Sequence, residues 1–252
     1  MTSVFITGAS SGLGRALAER YAHAGARLGL VARRGELLGQ LAASLPGQHH
    51  CYALDVRDRA ALHAAAADFL ARSQGRVDVV IASAGISAGT LTEHAEDFDV
   101  FKAIVDTNLL ATVATFEPFV EPMRRAGAGR LVGIASVAGV RGLPGAGAYS
   151  ASKSAVATYC ESLRVELAGA GVKVVTIAPG YIKTAMTAQN PYSMPFLMDA
   201  DKFAARARTA IERGVSYTVI PWQMGVVARL MRLLPNAVYD RAARNAPRKP
   251  RR

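Results

Sequence analysis

The sequence predicts a single α/β domain built on a doubly wound parallel sheet of about seven strands. Short apolar runs rich in β-branched residues recur along the chain. Between them lie Ala- and Leu-rich segments with helical spacing of apolar residues, such as RALAERYAHA and RAALHAAAADFLA. Strands that alternate with helices form βαβ units, and such parallel sheets are covered by helices on both faces. No linker, repeat or low-complexity stretch interrupts this pattern before the C-terminal tail.

Seven runs are predicted as strands, and their order along the chain defines the units. They are SVFIT (3–7), RLGLVA (27–32), HHCYALD (49–55), VDVVIAS (77–83), GRLVGIAS (129–136), VKVVTIA (172–178) and SYTVI (216–220). We divide the chain into a main domain, residues 1–222, and a C-terminal amphipathic helix with a basic tail, residues 223–252. In such a sheet a ligand binds at the C-terminal edge of the strands.

Composition excludes several classes of protein. The net charge of +11 is concentrated in residues 201–252, which hold 12 Lys/Arg against 3 Asp/Glu, so we expect no nucleic-acid-binding body. No apolar stretch approaches the roughly 20 residues of a membrane span, and no leader peptide is expected, because a strand begins at the third residue. Two cysteines make no disulfide framework, and the five histidines lack metal-ligand spacing. We predict a cytoplasmic protein without a metal site.

A glycine-rich loop, TGASSGLG (7–14), connects the first strand to the first helix. Glycine lets the backbone turn sharply and approach a phosphate, and a helix N-terminus offers free N–H groups to an anion. The alternative is an ordinary Gly/Ser turn, but the position at the first strand–helix junction favours a dinucleotide site. The residues predicted to contact the cofactor here are Gly8, Ser10, Ser11, Gly12, Leu13 and Gly14.

The ends of the next two strands indicate which dinucleotide binds. An NAD site places an acid after the second strand, whereas an NADP site places a cation there. Here Ala32 replaces the acid, Arg33 and Arg34 follow, and Arg15 adds a third cation near the loop. A solvated helix start is the alternative interpretation of the arginines. After the third strand, the Asp55–Val56 pair is predicted to meet the adenine, although Asp55 could instead cap a helix.

The segment AYSASKSAV (148–156) places Tyr149 four residues before Lys153. On a helix these side chains share one face, and a nearby ammonium favours the phenolate, so we expect a lowered tyrosine pKa. Such a pair also occurs on exposed helix faces. Two further segments favour chemistry: GIASVAG (133–139) ends a strand at Ser136, and VDTNLLAT (105–112) places Asn108 inside a helix, where asparagine needs a reason.

Taken together, these segments resemble the short-chain dehydrogenase/reductase family. The matching elements are TGASSGLG, Asp55, SAG (83–85), Asn108, Ser136, YSASK and PGYIKT (179–184), in order across residues 2–184. The resemblance implies a Rossmann-type fold and hydride transfer between NADP(H) and a carbonyl/alcohol pair. It implies that Ser136 binds the substrate oxygen, Tyr149 donates the proton, Lys153 holds the nicotinamide ribose and lowers the tyrosine pKa, and Asn108 supports a water. The remaining cofactor contacts that it implies are Ala84, Gly85, Pro179, Gly180, Ile182 and Thr184.

The sequence departs from the family in two places. The family's Asn-Asn-Ala-Gly turn is Ala82-Ser83-Ala84-Gly85 here, so a side-chain brace is lost or replaced. The chain also continues beyond the last strand, which resembles relatives that act on apolar ketones or alcohols. We expect residues 185–204 to form a lid with an apolar ceiling over a small-molecule ketone or alcohol, although a packed surface loop is the alternative. A non-catalytic dinucleotide-binding sensor or a membrane-surface scaffold on the same fold is the competing function.

The C-terminal region allows two interpretations. In QMGVVARLMRLL (223–234) the large apolar residues fall on one half of a helix and the arginines on the other. This helix either packs on its own domain or a second subunit, or lies on a membrane surface with a basic tail drawn to anionic lipid. The tail's basic residues are Arg241, Arg244, Arg248, Lys249, Arg251 and Arg252. We expect a homodimer or homotetramer, with weak peripheral membrane contact as a further expectation.

Overall fold

The computed structural model describes residues 1–188, 190, 192–246 and 248–251. Within them, the predicted doubly wound sheet is confirmed: seven parallel strands have the order β3-β2-β1-β4-β5-β6-β7. Each predicted strand is present. The bounds are β1 Ser3–Thr7, β2 Arg27–Ala32, β3 His49–Ala53, β4 Val79–Ala82, β5 Gly129–Ile134, β6 Val172–Pro179 and β7 Tyr217–Ile220.

Helices connect the strands and continue after the last one. Their bounds are α1 Gly12–Ala22, α2 Gly35–Ser44, α3 Arg59–Arg72, α4 Asp97–Val105, α5 Ala111–Ala126, α6 Gly147–Glu166, α7 Ala185–Ala188, α8 Ala200–Arg213, α9 Trp222–Leu233 and α10 Asn236–Ala243. A π-helical turn, Asp106–Leu110, joins α4 to α5, and a short 3₁₀ turn, Val137–Gly139, follows β5.

The strand order reverses between β1 and β4. The chain runs outward from β1 through β2 to β3, and then returns to the other side of β1 with β4. Thr7 pairs with Val31 on one side and with Ala82 on the other, so three strand ends lie at one level. A crevice opens where the connections diverge, and this is the place where such sheets bind ligands.

Two apolar layers cover the sheet and hold these strand ends in place. One layer contains residues of α1, α2 and α8, among them Leu17, Leu38 and Phe203, each fully buried. The other contains residues of α3, α5 and α6, with Phe69 and Phe119 tilted against Phe5 of β1 at centroid distances of 5.6 and 5.0 Å. Because both faces are covered, the central strands β1 and β4 are buried at every residue rather than alternating.

The C-terminal region folds as two helices, α9 and α10, and then returns across the molecule. The helix predicted over 223–234 is α9, but only part of its apolar face is covered. Met224 and Ala228 are buried, whereas Val226, Leu230 and Leu233 are exposed. None of the helices within the described residues combines the length and apolarity that crossing a membrane requires.

Candidate active site

Helix α6 brings Tyr149 and Lys153 to the crevice. Tyr149 lies in its first turn and is half-buried, and Lys153 lies one turn later and is only 6% exposed. Lys153 Nζ lies 5.9 Å from the centroid of the Tyr149 ring and donates to the backbone oxygen of Ile134, at 2.8 Å. A buried lysine bound to the end of β5 is inconsistent with an ordinary solvated helix face.

Burial controls the protonation of both groups in this structure. It lowers the pKa of Lys153 from 10.5 to about 8 and raises the pKa of Tyr149, although a hydrogen bond with Ser136 opposes that rise. The direction for Tyr149 is opposite to the one expected from the sequence. The reason is that the phenol loses solvent, while the ammonium is directed at the Ile134 carbonyl rather than at the phenol oxygen.

Ser136 reaches the same place from the end of β5. Its backbone is extended, with φ −168° and ψ 154°, and it caps the short 3₁₀ turn. Its Oγ accepts from the backbone N–H of Ala138 at 3.1 Å. This bond leaves the hydroxyl hydrogen available to a group in the crevice, because a serine oxygen accepts and donates at once.

Asn108 lies behind the crevice in the π-helical turn and is fully buried. Its Oδ1 accepts from the Ile86 N–H at 2.8 Å, and its Nδ2 donates to the Ile86 carbonyl and to Ser152 Oγ, each at 3.0 Å. Ser152 Oγ in turn donates to the Tyr149 carbonyl at 2.9 Å. One asparagine therefore ties the loop after β4 to helix α6, which explains why an asparagine occupies this helical position.

Two glycines of the first loop shape the bottom of the crevice. Gly8 has φ +71°, and a Cβ there would lie 2.8 Å from the Cα of Ala84, while a Cβ on Gly14 would overlap the carbonyl oxygen of Gly8. Side chains at these positions would collide with the backbone of Ala84 and of Gly8, so glycine allows these segments to pack closely at the N-terminus of α1. The loop is therefore a cradle with backbone walls, which suits a phosphate group.

The loop after β4 also depends on glycine. A Cβ on Gly85 would lie 3.2 Å from Asn108 Oδ1 and 3.5 Å from Lys153 Nζ. Next to it, the backbone N–H groups of Ser83 and Ala84 donate to Thr7 Oγ1 at 3.2 and 3.3 Å. Thr7 is thus a brace for the turn in which the family's asparagines are missing.

These elements enclose one cleft of about 310 Å³. All eighteen residues predicted to contact the cofactor line it, as does Ser136, whereas Asn108 lies behind the wall. The cleft runs from the arginines after β2 past the glycine loop to Tyr149. Its backbone cradle, its cations at one end and its buried lysine at the other fit a nicotinamide dinucleotide.

The outer end of the cleft carries the cations. Arg34 Nη2 donates to Ser10 Oγ at 3.2 Å, and Arg33 is exposed on the lining. Arg15, predicted as a third cation, instead pairs with Glu19 one turn along α1, at 2.8 Å, and is not among the lining residues described. Glu19 lies one helical turn from Arg15, so the arginine side chain reaches it more easily than it reaches the cleft.

Asp55 closes the same end, in contact with an arginine that the sequence analysis did not single out. Arg57 Nη2 donates to Asp55 Oδ2 at 2.6 Å, and this bond holds the pKa of the carboxyl below its usual range. The helix-cap alternative for Asp55 is excluded, because Asp58 caps α3 by accepting from the Ala61 N–H. Asp55 thus faces the cleft.

The segment predicted as a lid borders the cleft at Met186, whereas Phe196 and Leu197 line a separate depression. The segment contains α7, a bridge between Ile182 and Met198, and the start of α8. Met186, Phe196 and Leu197 are 38%, 50% and 38% exposed, so apolar surface is present there. Gln189 and Pro191, which also belong to the predicted lid, lie outside the described residues.

Sequence reasoning missed several residues that contact the site. Ser152 joins Asn108 to α6, Arg57 pairs with Asp55, and Lys249 Nζ lies 5.6 Å from the Tyr149 ring. Arg57 could have been found, since it follows Asp55 by two positions. No pattern along the chain pairs Lys249 with a tyrosine one hundred residues earlier.

Comparisons with known proteins agree with this geometry. A model of the short chain dehydrogenase family matches residues 2–193. An uncharacterized oxidoreductase of Myxococcus xanthus (strain DK1622) is 39% identical over 249 residues, which cover 96% of each chain. The 2-dehydro-3-deoxy-L-rhamnonate dehydrogenase (NAD(+)) of Sphingomonas sp. (strain SKA58) is 39% identical over 188 residues, 75% of each chain.

A solved structure gives the same result for the fold. A short-chain dehydrogenase from Sphingobium yanoikuyae in complex with NADPH superimposes with a TM-score of 0.78 at 27% identity, covering 94% of this chain and 98% of that one. The matched family model spans the glycine loop, Asn108, Ser136, Tyr149 and Lys153. The chain therefore belongs to the short-chain dehydrogenase family.

Proposed function

We propose that this oxidoreductase transfers a hydride between NADP(H) and the carbonyl/alcohol pair of a small molecule, with Tyr149 as the proton donor in the reductive direction. The observation that carries the proposal is the meeting of Ser136, Tyr149 and Lys153 in the same cleft as the glycine loop. A non-catalytic sensor would require the cradle but would have no need of a hydroxyl donor beside a phenol and a buried lysine.

In this mechanism the protein binds and polarises the substrate oxygen. Ser136 donates its hydroxyl hydrogen to that oxygen, and the Tyr149 hydroxyl supplies the proton as negative charge develops there. The bound nicotinamide supplies the hydride in reduction and accepts it in oxidation. The Tyr149 phenol carries the proton to be donated, and burial, which raises its pKa, disfavours the phenolate until a cation lies close to it.

Lys153 and Asn108 support the tyrosine. We propose that Lys153 holds the ribose hydroxyls next to the nicotinamide and, when protonated, stabilises the phenolate after the proton has left. Asn108 holds the Ile86 backbone and Ser152, which positions the first turn of α6. A water relay through Asn108 to solvent is part of the proposal.

Two arginines support NADP(H) over NAD(H). Arg33 and Arg34 line the outer end of the cleft, and Ala32 leaves no carboxylate to repel a 2′-phosphate. Among the relatives, one is named for NAD(+) and one solved structure holds NADPH, so the choice for this chain depends on its own residues. Comparing the affinities for NADPH and NADH by fluorescence titration is the direct measurement.

We propose an apolar substrate because of the lid. Met186, which is 38% exposed, offers apolar surface in the wall of the cleft. A packed surface loop would be expected to bury such a side chain against the domain.

One experiment tests the function as a whole. NADPH oxidation is followed with aldehydes, ketones and keto-acyl compounds of graded chain length. Tyr149→Phe should lower kcat by about 10²–10⁴-fold on any active substrate, because it removes the proton donor and keeps the ring. Tyr217→Phe is the matched control, since that exposed tyrosine lies on the edge strand β7. Turnover in Tyr149→Phe within threefold of the parent would contradict the assignment.

The exposed face of α9 favours an assembly with a second copy of the chain. Trp222, Val226, Leu230 and Leu233 are 66%, 46%, 60% and 79% exposed, at spacings that place them on one side of the helix. We propose a homodimer or homotetramer, measured by light scattering, and Leu230→Glu should lower the measured mass. Co-sedimentation with anionic vesicles at low salt tests the membrane alternative.

A further inference from the structure

The last described residues of the chain, 248–251, lie against the loop after β4 and beside Tyr149, and we call them the strap. Gly89 N–H donates to the Pro250 carbonyl at 3.0 Å, and Gly89 pairs with Arg251 in a parallel bridge. A Cβ on Gly89 would overlap the Lys249 carbonyl oxygen. The backbone of the strap is therefore in direct contact with the loop after β4.

Arg251 anchors the outer end of the strap. Its Nε and Nη2 donate to the two carboxylate oxygens of Asp97 at 2.9 and 3.1 Å, and Nη2 also donates to Glu96 Oε1 at 2.7 Å. The Asp97 side chain is only 5% exposed and also accepts from the Leu91 N–H at 2.8 Å. A forked contact to a buried carboxylate fixes a side chain far better than a single exposed ion pair does.

The inner end of the strap lies against the catalytic helix. The Arg248 side chain covers Gly145, where a Cβ would lie 3.0 Å from Arg248 Cβ. Lys249 Nζ donates to Ser87 Oγ at 2.8 Å and lies 5.6 Å from the centroid of the Tyr149 ring. The strap thus spans from the loop after β4 to the residues that precede the catalytic tyrosine.

The same loop is held on its other side by the segment before α6. Thr90 N–H donates to the Gly145 carbonyl at 3.0 Å, and Thr90 pairs with Ala146. The loop after β4 therefore contacts both the strap and the segment before α6. Strap residues do not contribute to the lining described for the cofactor cleft.

We propose that the strap is a fixed outer wall of the substrate site and limits the length of the substrate, so that short carbonyl compounds enter and long ones are excluded. This inference rests on the proposed function. The wall is built of backbone and of two anchored side chains, Lys249 and Arg251, and Lys249 lies beside Tyr149. The size of the substrates accepted then depends on the C-terminal residues, whereas the affinity for the cofactor does not.

Removal of the strap tests this inference. The full chain and a chain truncated after Ala246 are compared on methyl ketones from 2-butanone to 2-decanone with NADPH. We expect truncation to raise the ratio of kcat/KM for 2-decanone over 2-butanone at least tenfold, while the NADPH dissociation constant stays within twofold. Circular dichroism and thermal unfolding establish that the truncated chain folds.

Point variants in the full-length chain keep the test decisive where truncation disturbs folding. Lys249→Ala shortens the side chain beside Tyr149, and Arg251→Ala removes the anchor to Asp97. Each should raise the same ratio at least threefold. Arg244→Ala is the matched control, because that exposed arginine follows α10 outside the strap, and it should leave the ratio unchanged.

The outcomes separate the two proposals. A ratio that stays within twofold of the parent in the truncated and both point variants overturns the size limit, while activity upholds the proposed function. Equal activation of every ketone also overturns the size limit, because the strap would then block all substrates alike. Absence of turnover in every form, with all substrates, overturns the proposed function and the inference that rests on it.

Discussion

The burial of Lys153 predicts a stability that depends on pH in a specific window. The amine is 6% exposed, and burial lowers its pKa from 10.5 to about 8. One pKa unit corresponds to about 1.4 kcal/mol, so charging this amine inside the fold costs about 3 kcal/mol more than in the unfolded chain. The perturbation that reveals the cost is Lys153→Met, which removes the charge and keeps a flexible apolar stem.

The sign follows from proton uptake. Below pH 8 the Lys153 amine is charged in both the folded and the unfolded chain, so the full cost of burying the charge lowers the free energy of unfolding of the parent. Between about pH 8 and 10.4 the unfolded chain holds more protons than the folded one, so the parent gains stability as pH rises. Relative to Lys153→Met, the free energy of unfolding of the parent should therefore increase by about 3 kcal/mol from pH 7 to 10.5.

Urea unfolding of the two chains at half-unit pH steps measures this difference. Lys153→Met also loses the hydrogen bond to Ile134, which displaces its curve without changing the slope. Lys173→Met is the matched control, because Lys173 is exposed on β6, and its curve should run parallel to that of the parent. A difference between parent and Lys153→Met that changes by less than 1 kcal/mol, the order expected of an exposed pair, would refute the reasoning.

Three further variants address the cofactor cleft and its support. In fluorescence titrations, Arg33→Ala should lower the affinity for NADPH by one to two powers of ten and the affinity for NADH by less than threefold. The reason is that a charge-assisted contact is worth about 1.5–3 kcal/mol. Equal losses of affinity would exclude a 2′-phosphate contact. Asn108→Ala should lower the free energy of unfolding by about 1–3 kcal/mol, because the Ile86 N–H loses its acceptor, and an unchanged urea midpoint would contradict this. Gly8→Ala should lower the affinity for NADPH at least tenfold, because the backbone at Gly8 has φ +71° and the new Cβ would lie 2.8 Å from the Cα of Ala84. Unchanged affinity would show that the loop can adjust.

The sequence predicted the strands and the residues that line the cleft, because both depend on local patterns. Apolar β-branched runs of five to eight residues identified the seven strands, and the observed strand ends differ from the predicted ones by two residues at most. The loop glycines, Ser136 and Tyr149 each lie at the C-terminal end of a strand or at the start of the following helix. Parallel strands bring all such positions to one edge of the sheet.

Electrostatic details of the site were less predictable. The spacing of Tyr149 and Lys153 predicted a lowered tyrosine pKa, but the pKa of the phenol is raised by burial. Spacing shows which face two side chains share, whereas desolvation depends on everything packed around them. The same limit applies to Arg15, whose salt bridge with Glu19 outcompetes a reach toward the cleft.

The sequence by itself determined the fold class, the family and the residues that line the cleft, because these are encoded in short segments at the strand ends, which a parallel sheet brings to one edge. Only the tertiary structure decided where the C-terminal residues lie. From the sequence the tail is a basic run that could be drawn to anionic lipid, yet Arg251 pairs with Asp97 and Lys249 lies beside Tyr149. Contacts across 100 residues or more leave no periodic pattern, since they depend on the path by which α9 and α10 return the chain to the active site.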